Sequence, residues 1–292
     1  MNRIRNSVVI AAAMMAVLLS SPVALSAEEE GEKLGWHHDG ELGVAWVSGN
    51  SNMASINLGY KLRRFWEKAL FTFKLGGVRN STDDDRFAVG TVDDFVVQRP
   101  KLELDSEILY FNTDYNRKIT ERFFWNAGLG WDRNTSAGIE SRSNIFGGVG
   151  NIWVSKEEMS WKTDYGVSYV DQQDEIDDPT TDDAYPAMRL ASDFLVKFGS
   201  ATYDNDFVFF SNLGDLEDFN LRMVNGLGVD MTKFLALKVA LTFLYDNIPS
   251  LEEIDLFDPS DLGNPIGTVV TPNEELDTIF TVSLVINIDP KK

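Results

Sequence analysis

The sequence contains two histidines, which stand side by side as His37 and His38. Histidine is the usual base that takes the proton from a serine nucleophile, so a serine hydrolase would have to use one of this pair. Both lie ahead of the first segment with the alternating pattern of a β-strand, and a structural position beside Trp36 explains them better. We therefore assign no catalytic residue and predict that the protein is not an enzyme.

Acidic side chains are the second group that could do chemistry, and they concentrate in three segments, 80–100, 172–185 and 249–275. Carboxylate oxygens are the ligands that Ca²⁺ and Mg²⁺ prefer, so these segments could bind divalent cations. None has the spacing of an EF-hand, since 172–185 lacks the central glycine and the final glutamate. We assign no metal site and no cofactor, and we favour solvated charge runs over cation contacts.

Bulk composition excludes further classes of site. The 292 residues carry 46 acidic and 26 basic side chains, for a net charge of −20, and such a surface would repel nucleic acid. The absence of cysteine excludes disulfides and thiolate metal sites.

Charged residues also recur at alternate positions within otherwise apolar segments, which predicts that they share one face of a strand. Charges of both signs on the inner face of a barrel could line a polar pore, or could pair across the lumen and close it. The candidate lumen-lining residues are Lys74, Lys101, Glu103, Asp105, Glu107, Asp164, Arg189, Asp193, Lys197, Asp204, Asp206, Arg222 and Lys238, and Lys61 and Lys162 fit the same pattern.

The β-strands that would position these charges are predicted most clearly in residues 121–154. There Phe123, Trp125 and Trp131 alternate with glycine and polar residues, and a glycine-containing turn separates two such strands. The same two-residue period predicts about twelve strands. They are 41–48, 53–62, 69–78, 101–115, the two strands of 121–154, 160–170, 187–198, 203–211, 218–229, 235–247 and 277–288. In 101–115 we place Leu102, Leu104, Ile108 and Tyr110 on the apolar face.

The lengths of the connections between strands indicate whether the apolar face of the predicted sheet contacts lipid or a protein core. Short turns follow the even strands, at 63–68, 119–122, 156–159, 199–202 and 230–233, whereas most connections after odd strands are long and acidic. Membrane barrels sort their loops in this way, and strands of about ten residues are long enough to cross hydrocarbon. We predict an all-β, transmembrane, antiparallel up-and-down β-barrel of about 12 strands. A soluble lipocalin-like barrel or sandwich is the alternative.

The first residues read as a targeting segment. Arg3 and Arg5 precede an apolar run from Val8 to Leu19, and small residues surround a cleavage position after Ala27. We predict a signal peptide over 1–27, a short periplasmic tail over 28–36 and an outer-membrane β-barrel over 37–292. These assignments place the protein in the outer membrane of a Gram-negative bacterium.

Two stretches resemble a known family. Residues 48–51, with the sequence SGNS, and 131–142, with the sequence WDRNTSAGIESR, followed by Gly147, Gly148 and Gly150, are similar to the YdiY-like proteins, described as salt-induced outer-membrane proteins. The resemblance implies an outer-membrane barrel and supplies no catalytic residues.

The resemblance favours a structural role in the envelope under salt or osmotic stress. The alternative is a narrow, weakly cation-selective channel for ions or small solutes, and a barrel-embedded hydrolase is the least favoured hypothesis. The expected partners are outer-membrane lipids and lipopolysaccharide, the outer-membrane assembly machinery and, at the acidic loops, divalent cations. We expect a monomer.

Overall fold

The computed structural model describes residues 34–48, 53–82, 87–92, 94–98, 105–134, 137–156, 158–179 and 181–287. These residues form sixteen β-strands. Their bounds are β1 Gly35–Ser48, β2 Met53–Trp66, β3 Ala69–Thr82, β4 Phe87–Thr91, β5 Asp94–Gln98, β6 Asp105–Lys118, β7 Phe123–Asn134, β8 Ile139–Lys156, β9 Met159–Asp174, β10 Ala184–Phe198, β11 Ala201–Asn212, β12 Phe219–Asp230, β13 Leu235–Asp246, β14 Leu251–Asp258, β15 Asp261–Pro272 and β16 Leu276–Asn287.

Twelve of the strands close into one antiparallel barrel in the order β1-β16-β13-β12-β11-β10-β9-β8-β7-β6-β3-β2. Closure joins the first strand to the last, with Leu42 opposite Leu284. Each predicted barrel strand overlaps one of the twelve observed strands, so the predicted fold is confirmed. In the described part of the chain, no helix has the length and hydropathy to span a membrane.

The two faces of the wall differ as the alternation predicts. In β7, Phe124, Asn126 and Asp132 are buried in the barrel, whereas Leu129 on the opposite face is exposed. In β13, Ala236, Lys238 and Ala240 point inward, and Leu237 and Leu241 are exposed on the outside. A barrel in a bilayer places such apolar side chains against lipid.

The register predicted for 101–115 is wrong at Tyr110. This residue is 3% exposed and faces the lumen, whereas Leu109 is 50% exposed on the outer face. The physical reason is a groove of glycines, because a Cβ at Gly76 would overlap the Tyr110 hydroxyl group and Gly59 lies just beyond. The large side chain of Tyr110 therefore fits inside the barrel.

A further sheet, which the sequence does not predict, lies in two of the long acidic connections. Strands β4 and β5 lie between β3 and β6, strands β14 and β15 lie between β13 and β16, and the four form a sheet in the order β15-β14-β4-β5. Its central pair, β14 and β4, is parallel, with Asp255 opposite Phe87. Ala88, Ile254, Leu256 and Val269 form its buried core. We call these four strands the outer sheet.

Candidate functional site

A cavity of about 340 Å³ lies inside the barrel and is lined from nine of the twelve barrel strands, β2, β3 and β6 to β12. Its lining combines charged and polar groups with a few apolar side chains. Among the predicted lumen-lining residues, those at the cavity are Lys74, Asp164, Arg189, Asp193, Asp204, Asp206 and Arg222. Lys61 and Lys162 also line it.

The remaining predicted residues have different positions. Lys238 is 1% exposed and lies beneath the cavity lining, where it pairs with Asp204. Lys197 lies in β10 but is not part of the lining. Lys101 and Glu103 lie outside the described residues, and so do the side chains of Asp105 and Glu107.

Ion pairs in the lumen run along the barrel wall. Arg142 Nη2 lies 3.1 Å from Asp132 Oδ2, and these two residues are direct cross-strand partners on β8 and β7. Arg63 Nη2 lies 3.0 Å from Asp39 Oδ2, between β2 and β1. The same arrangement, between neighbouring strands, holds for Lys162–Asp193, Arg189–Asp164 and Arg222–Asp206.

One pair reaches over an intervening strand. Asp204 on β11 and Lys238 on β13 are separated by β12, and Gly226 of β12 is the direct register partner of both Asp204 and Ala240. A Cβ at position 226 would overlap the Asp204 carboxylate. Glycine therefore leaves the space through which this carboxylate meets Lys238.

Attraction across the lumen centres on Lys74. Strand β3 stands six positions from β11 in the twelve-strand order, so the two face each other across the barrel. Lys74 on β3 interacts electrostatically with Asp206 on β11 and with Asp193 on β10. Arg222 on β12 opposes this attraction, and Lys74 is one of the side chains that line the cavity.

Sequence reasoning missed several charged groups of the lumen. Asp39 and Arg63 lie in residues that we read as a lead-in segment and a connection, but β1 and β2 extend to include them. Arg142 lies within 133–143, the segment predicted as a turn, and Asp132 lies directly before it. The alternation in 123–132 places Asp132 on the face of Gly128 and Gly130, but Asp132 is not among the predicted lumen-lining residues. Asp114 follows from the corrected register of β6.

An apolar patch interrupts the charges toward the end of the barrel with the long connections. Val170, Tyr185 and Ala187 are buried together there, and Phe210 packs against them. Below this patch the Arg189 guanidinium carbon lies 4.4 Å from the centroid of the Phe146 ring, a cation–π contact. The lumen therefore offers both polar and apolar contact surface.

The histidines lie within β1, not ahead of it as predicted. His37 lies edge-on to Phe65 with ring centroids 5.0 Å apart, and Phe65 lines the cavity. His38 Nδ1 lies 2.6 Å from the Tyr60 hydroxyl oxygen, and this pair is exposed. As neighbours in a strand, the two imidazoles occupy opposite faces of the wall and do not form one site.

Two acidic connections leave the barrel wall, after β9 and after β11, at the same end as the apolar patch, and we call this end the mouth. The 175–183 and 213–218 connections contain acids and no bases. Asp218 is half-buried, and burial raises the pKa of its carboxyl group, which accepts a hydrogen bond from Asn212. Within the described ranges, no three acidic or histidine side chains come close enough together to hold a metal ion.

Known structures share the closed-barrel fold. The NanC porin is 8% identical with a TM-score of 0.50, and the match covers 85% of this chain and 98% of that one. An anion-selective porin from Comamonas acidovorans is 10% identical, with a TM-score of 0.39 and coverages of 88% and 100%. The CymD monoaromatic hydrocarbon channel is 8% identical, with a TM-score of 0.44 and coverages of 98% and 100%. At such identities the likeness shows fold alone.

No curated protein sequence matches the chain. Residues 40–255, however, match the family described as "Protein of unknown function, DUF481", which comprises the YdiY-like proteins. The chain therefore has the fold of an outer-membrane barrel and belongs to the DUF481 family.

Proposed function

We propose that the protein is a narrow polar pore that passes ions or small solutes across the outer membrane. The observation that carries the proposal is the direction of the lumen ion pairs. Six pairs among the described residues join strands that are neighbours or next-but-one in the wall, and a cavity of about 340 Å³ remains beside them. Charges that are paired along the wall hold the wall together, and the cavity beside them is the path that we propose for ions and small solutes.

The balance of charge supports weak selectivity within the lumen. Seven basic and six acidic side chains line the cavity. Such a balance gives neither cations nor anions a strong advantage, whereas the acids of 175–183 and 213–218 raise the local concentration of cations at the mouth. We infer a weak preference for cations that is set at the mouth.

The test is planar-bilayer conductance of the refolded protein, with the reversal potential measured in a KCl gradient. We expect discrete conductance steps and a reversal potential that indicates weak cation preference. The triple variant D177N/D182N/D183N removes exposed mouth acids and should move the reversal potential toward zero.

A matched control neutralises as many exposed acids in the short turns, as E67Q/E121Q/E158Q. Lys68, Arg122 and Lys156 lie in or beside those turns, so the local charge is already balanced and a smaller change is expected. A heat-modifiable, folded barrel that gives no conductance steps would overturn the pore. The structural role in the envelope would then be the leading hypothesis.

A further inference from the structure

We infer that the outer face of the barrel, at its short-turn end, carries a binding site for the phosphate group of an anionic glycerophospholipid. The site consists of Arg64 and Arg117 with the aromatic rings of Trp36, Trp66 and Tyr115, and we call it the arginine–aromatic row. The row lies outside the lumen. Lipid binding there therefore requires a barrel inserted in a membrane, but it does not require that the lumen conducts.

The row is built around Arg64. Its guanidinium carbon lies 5.2 Å from the centroid of the Trp36 ring and 5.5 Å from that of the Trp66 ring. Both indole rings are about half exposed, at 51% and 45%. Two cation–π contacts hold the guanidinium in place on a surface where a lone arginine would be mobile, and they leave its N–H groups available as donors.

The row continues over the next strands. The small side chain of Ala69 on β3 lies between Trp66 on β2 and Arg117 on β6 in the cross-strand register. Trp66 meets Tyr115 with ring centroids 6.3 Å apart, and Tyr115 meets Trp125 at 5.4 Å. Arg117 is exposed on the same outer face and lies directly opposite Trp125 in the register of β6 and β7. The row therefore places two guanidinium groups on one face of the wall.

The charge at this surface is unusual for the protein. Acidic residues outnumber basic ones by 46 to 26 in the sequence, yet neither Arg64 nor Arg117 pairs with a carboxylate in the part of the chain that the structure describes. Lumen arginines, in contrast, are paired with aspartates. A cationic site on an acidic protein selects an anion.

The position identifies the class of anion. Tryptophan and tyrosine are enriched at membrane interfaces, and the short turns of such barrels are periplasmic, so the row meets the leaflet of glycerophospholipids. A guanidinium group binds phosphate oxygens through two parallel hydrogen bonds. The exposed rings of Trp36 and Trp66 would contact the glycerol and upper acyl carbons of the same lipid.

Native mass spectrometry of the folded full chain in detergent micelles tests the site. Dioleoylphosphatidylglycerol, dioleoylphosphatidylcholine and lipid A are titrated separately. We expect the protein to retain phosphatidylglycerol in a larger fraction of molecules than either of the other two lipids. The variant R64Q/R117Q should weaken the apparent affinity for phosphatidylglycerol at least fivefold, whereas R64K/R117K, which keeps the charge but loses the guanidinium geometry, should be intermediate.

The control is R122Q, which removes an exposed arginine from the neighbouring turn and should leave the affinity unchanged. Equal phosphatidylglycerol binding by R64Q/R117Q and the wild type would overturn the site, and so would an equal loss in R122Q. Preferential binding of lipid A that is lost in R64Q/R117Q would assign the row to the other leaflet and overturn it too. Conductance should be the same in wild type and R64Q/R117Q, so failure here leaves the pore proposal untouched.

Discussion

The Asp204 carboxylate reaches Lys238 from two strands away, with Oδ2 3.4 Å from Nζ, by passing over Gly226. The Lys238 side chain is 1% exposed. A buried ammonium group without a partner is costly, so the carboxylate, the glycine and the lysine depend on one another.

Replacing Gly226 with alanine tests the space over which this pair forms. The added Cβ would overlap the Asp204 carboxylate and force it away from Lys238. We expect G226A to lower the free energy of unfolding by about 2 kcal/mol, the scale of a disturbed buried polar contact. Urea unfolding in lipid vesicles, followed by tryptophan fluorescence, measures this. G147A is the control, because a Cβ there would be 3.8 Å from its nearest neighbour, and an equal loss in both variants would contradict the explanation.

The pair itself is tested by a double-mutant cycle. K238M leaves Asp204 without its lysine, and we expect a loss of about 3–5 kcal/mol in unfolding free energy. D204L/K238M removes both charges and should recover most of that loss, because no buried charge is then left alone. D204L completes the cycle, and losses in D204L and K238M that add up in D204L/K238M, measured by the same urea unfolding assay, would show that the two residues act independently.

Lys74 is expected to restrict passage through the lumen. K74M removes the side chain's charge opposite Asp206 and leaves equal numbers of basic and acidic side chains along the cavity, six of each. Single-channel recordings in KCl should show a shift toward cations and a changed unit conductance. K197M removes a lysine that does not line the cavity and should conduct as the wild type does. Identical recordings from K74M and K197M would place Lys74 away from the conducting path.

We expect the outer sheet to unfold locally while the barrel stays folded. L256A removes a side chain that is 2% exposed between Ala88, Ile254 and Val269, and such truncations cost about 2–5 kcal/mol. We expect faster cleavage within 251–272 by added protease, with the heat-modifiable migration of the barrel unchanged. V270A, which alters an exposed valine of the same strand pair, should be cleaved at the wild-type rate. Loss of heat-modifiable migration in L256A would show that the sheet and barrel unfold together.

Acid should stabilise the mouth through Asp218. Burial raises the pKa of this carboxyl group above its ordinary value of 3.8, so the folded protein binds its proton more readily than the unfolded chain does. Stability therefore rises as pH falls through the raised pKa, and the gain is complete below 3.8. In D218N the urea midpoint should depend less on pH between 7 and 4 than in the wild type, whereas D177N, at an exposed position that does not act on Asp218, should keep the wild-type dependence.

The sequence predicts the barrel because lipid and lumen impose opposite requirements on alternate residues. Trp125 and Trp131 lie on the outer face as the two-residue period requires, and Asp204, Asp206 and Lys238 lie inside. That period is local, so no knowledge of distant strands is needed to read it.

The sequence-based predictions fail where contacts with distant strands determine the position of a residue. Tyr110 lies in the lumen because Gly76 and Gly59, on two other strands, leave room for its ring. The outer sheet depends on pairing of β4 with β14, which are short strands far apart in sequence. Neither relationship leaves a periodic pattern in the residues that form it.

The parallel pairing of β4 with β14 also orders events during assembly. Strand β4 ends at Thr91, and its partner β14 begins at Leu251. The C-terminal segment that contains β14 also supplies β16, whose pairing with β1 closes the barrel. Closure of the wall and completion of the outer sheet are thus both contacts of high sequence separation, which form slowly. An assembling chain therefore exposes the edges of β1 and of β4 until its C-terminal strands have paired with them, and it is during this interval that it most needs protection from aggregation.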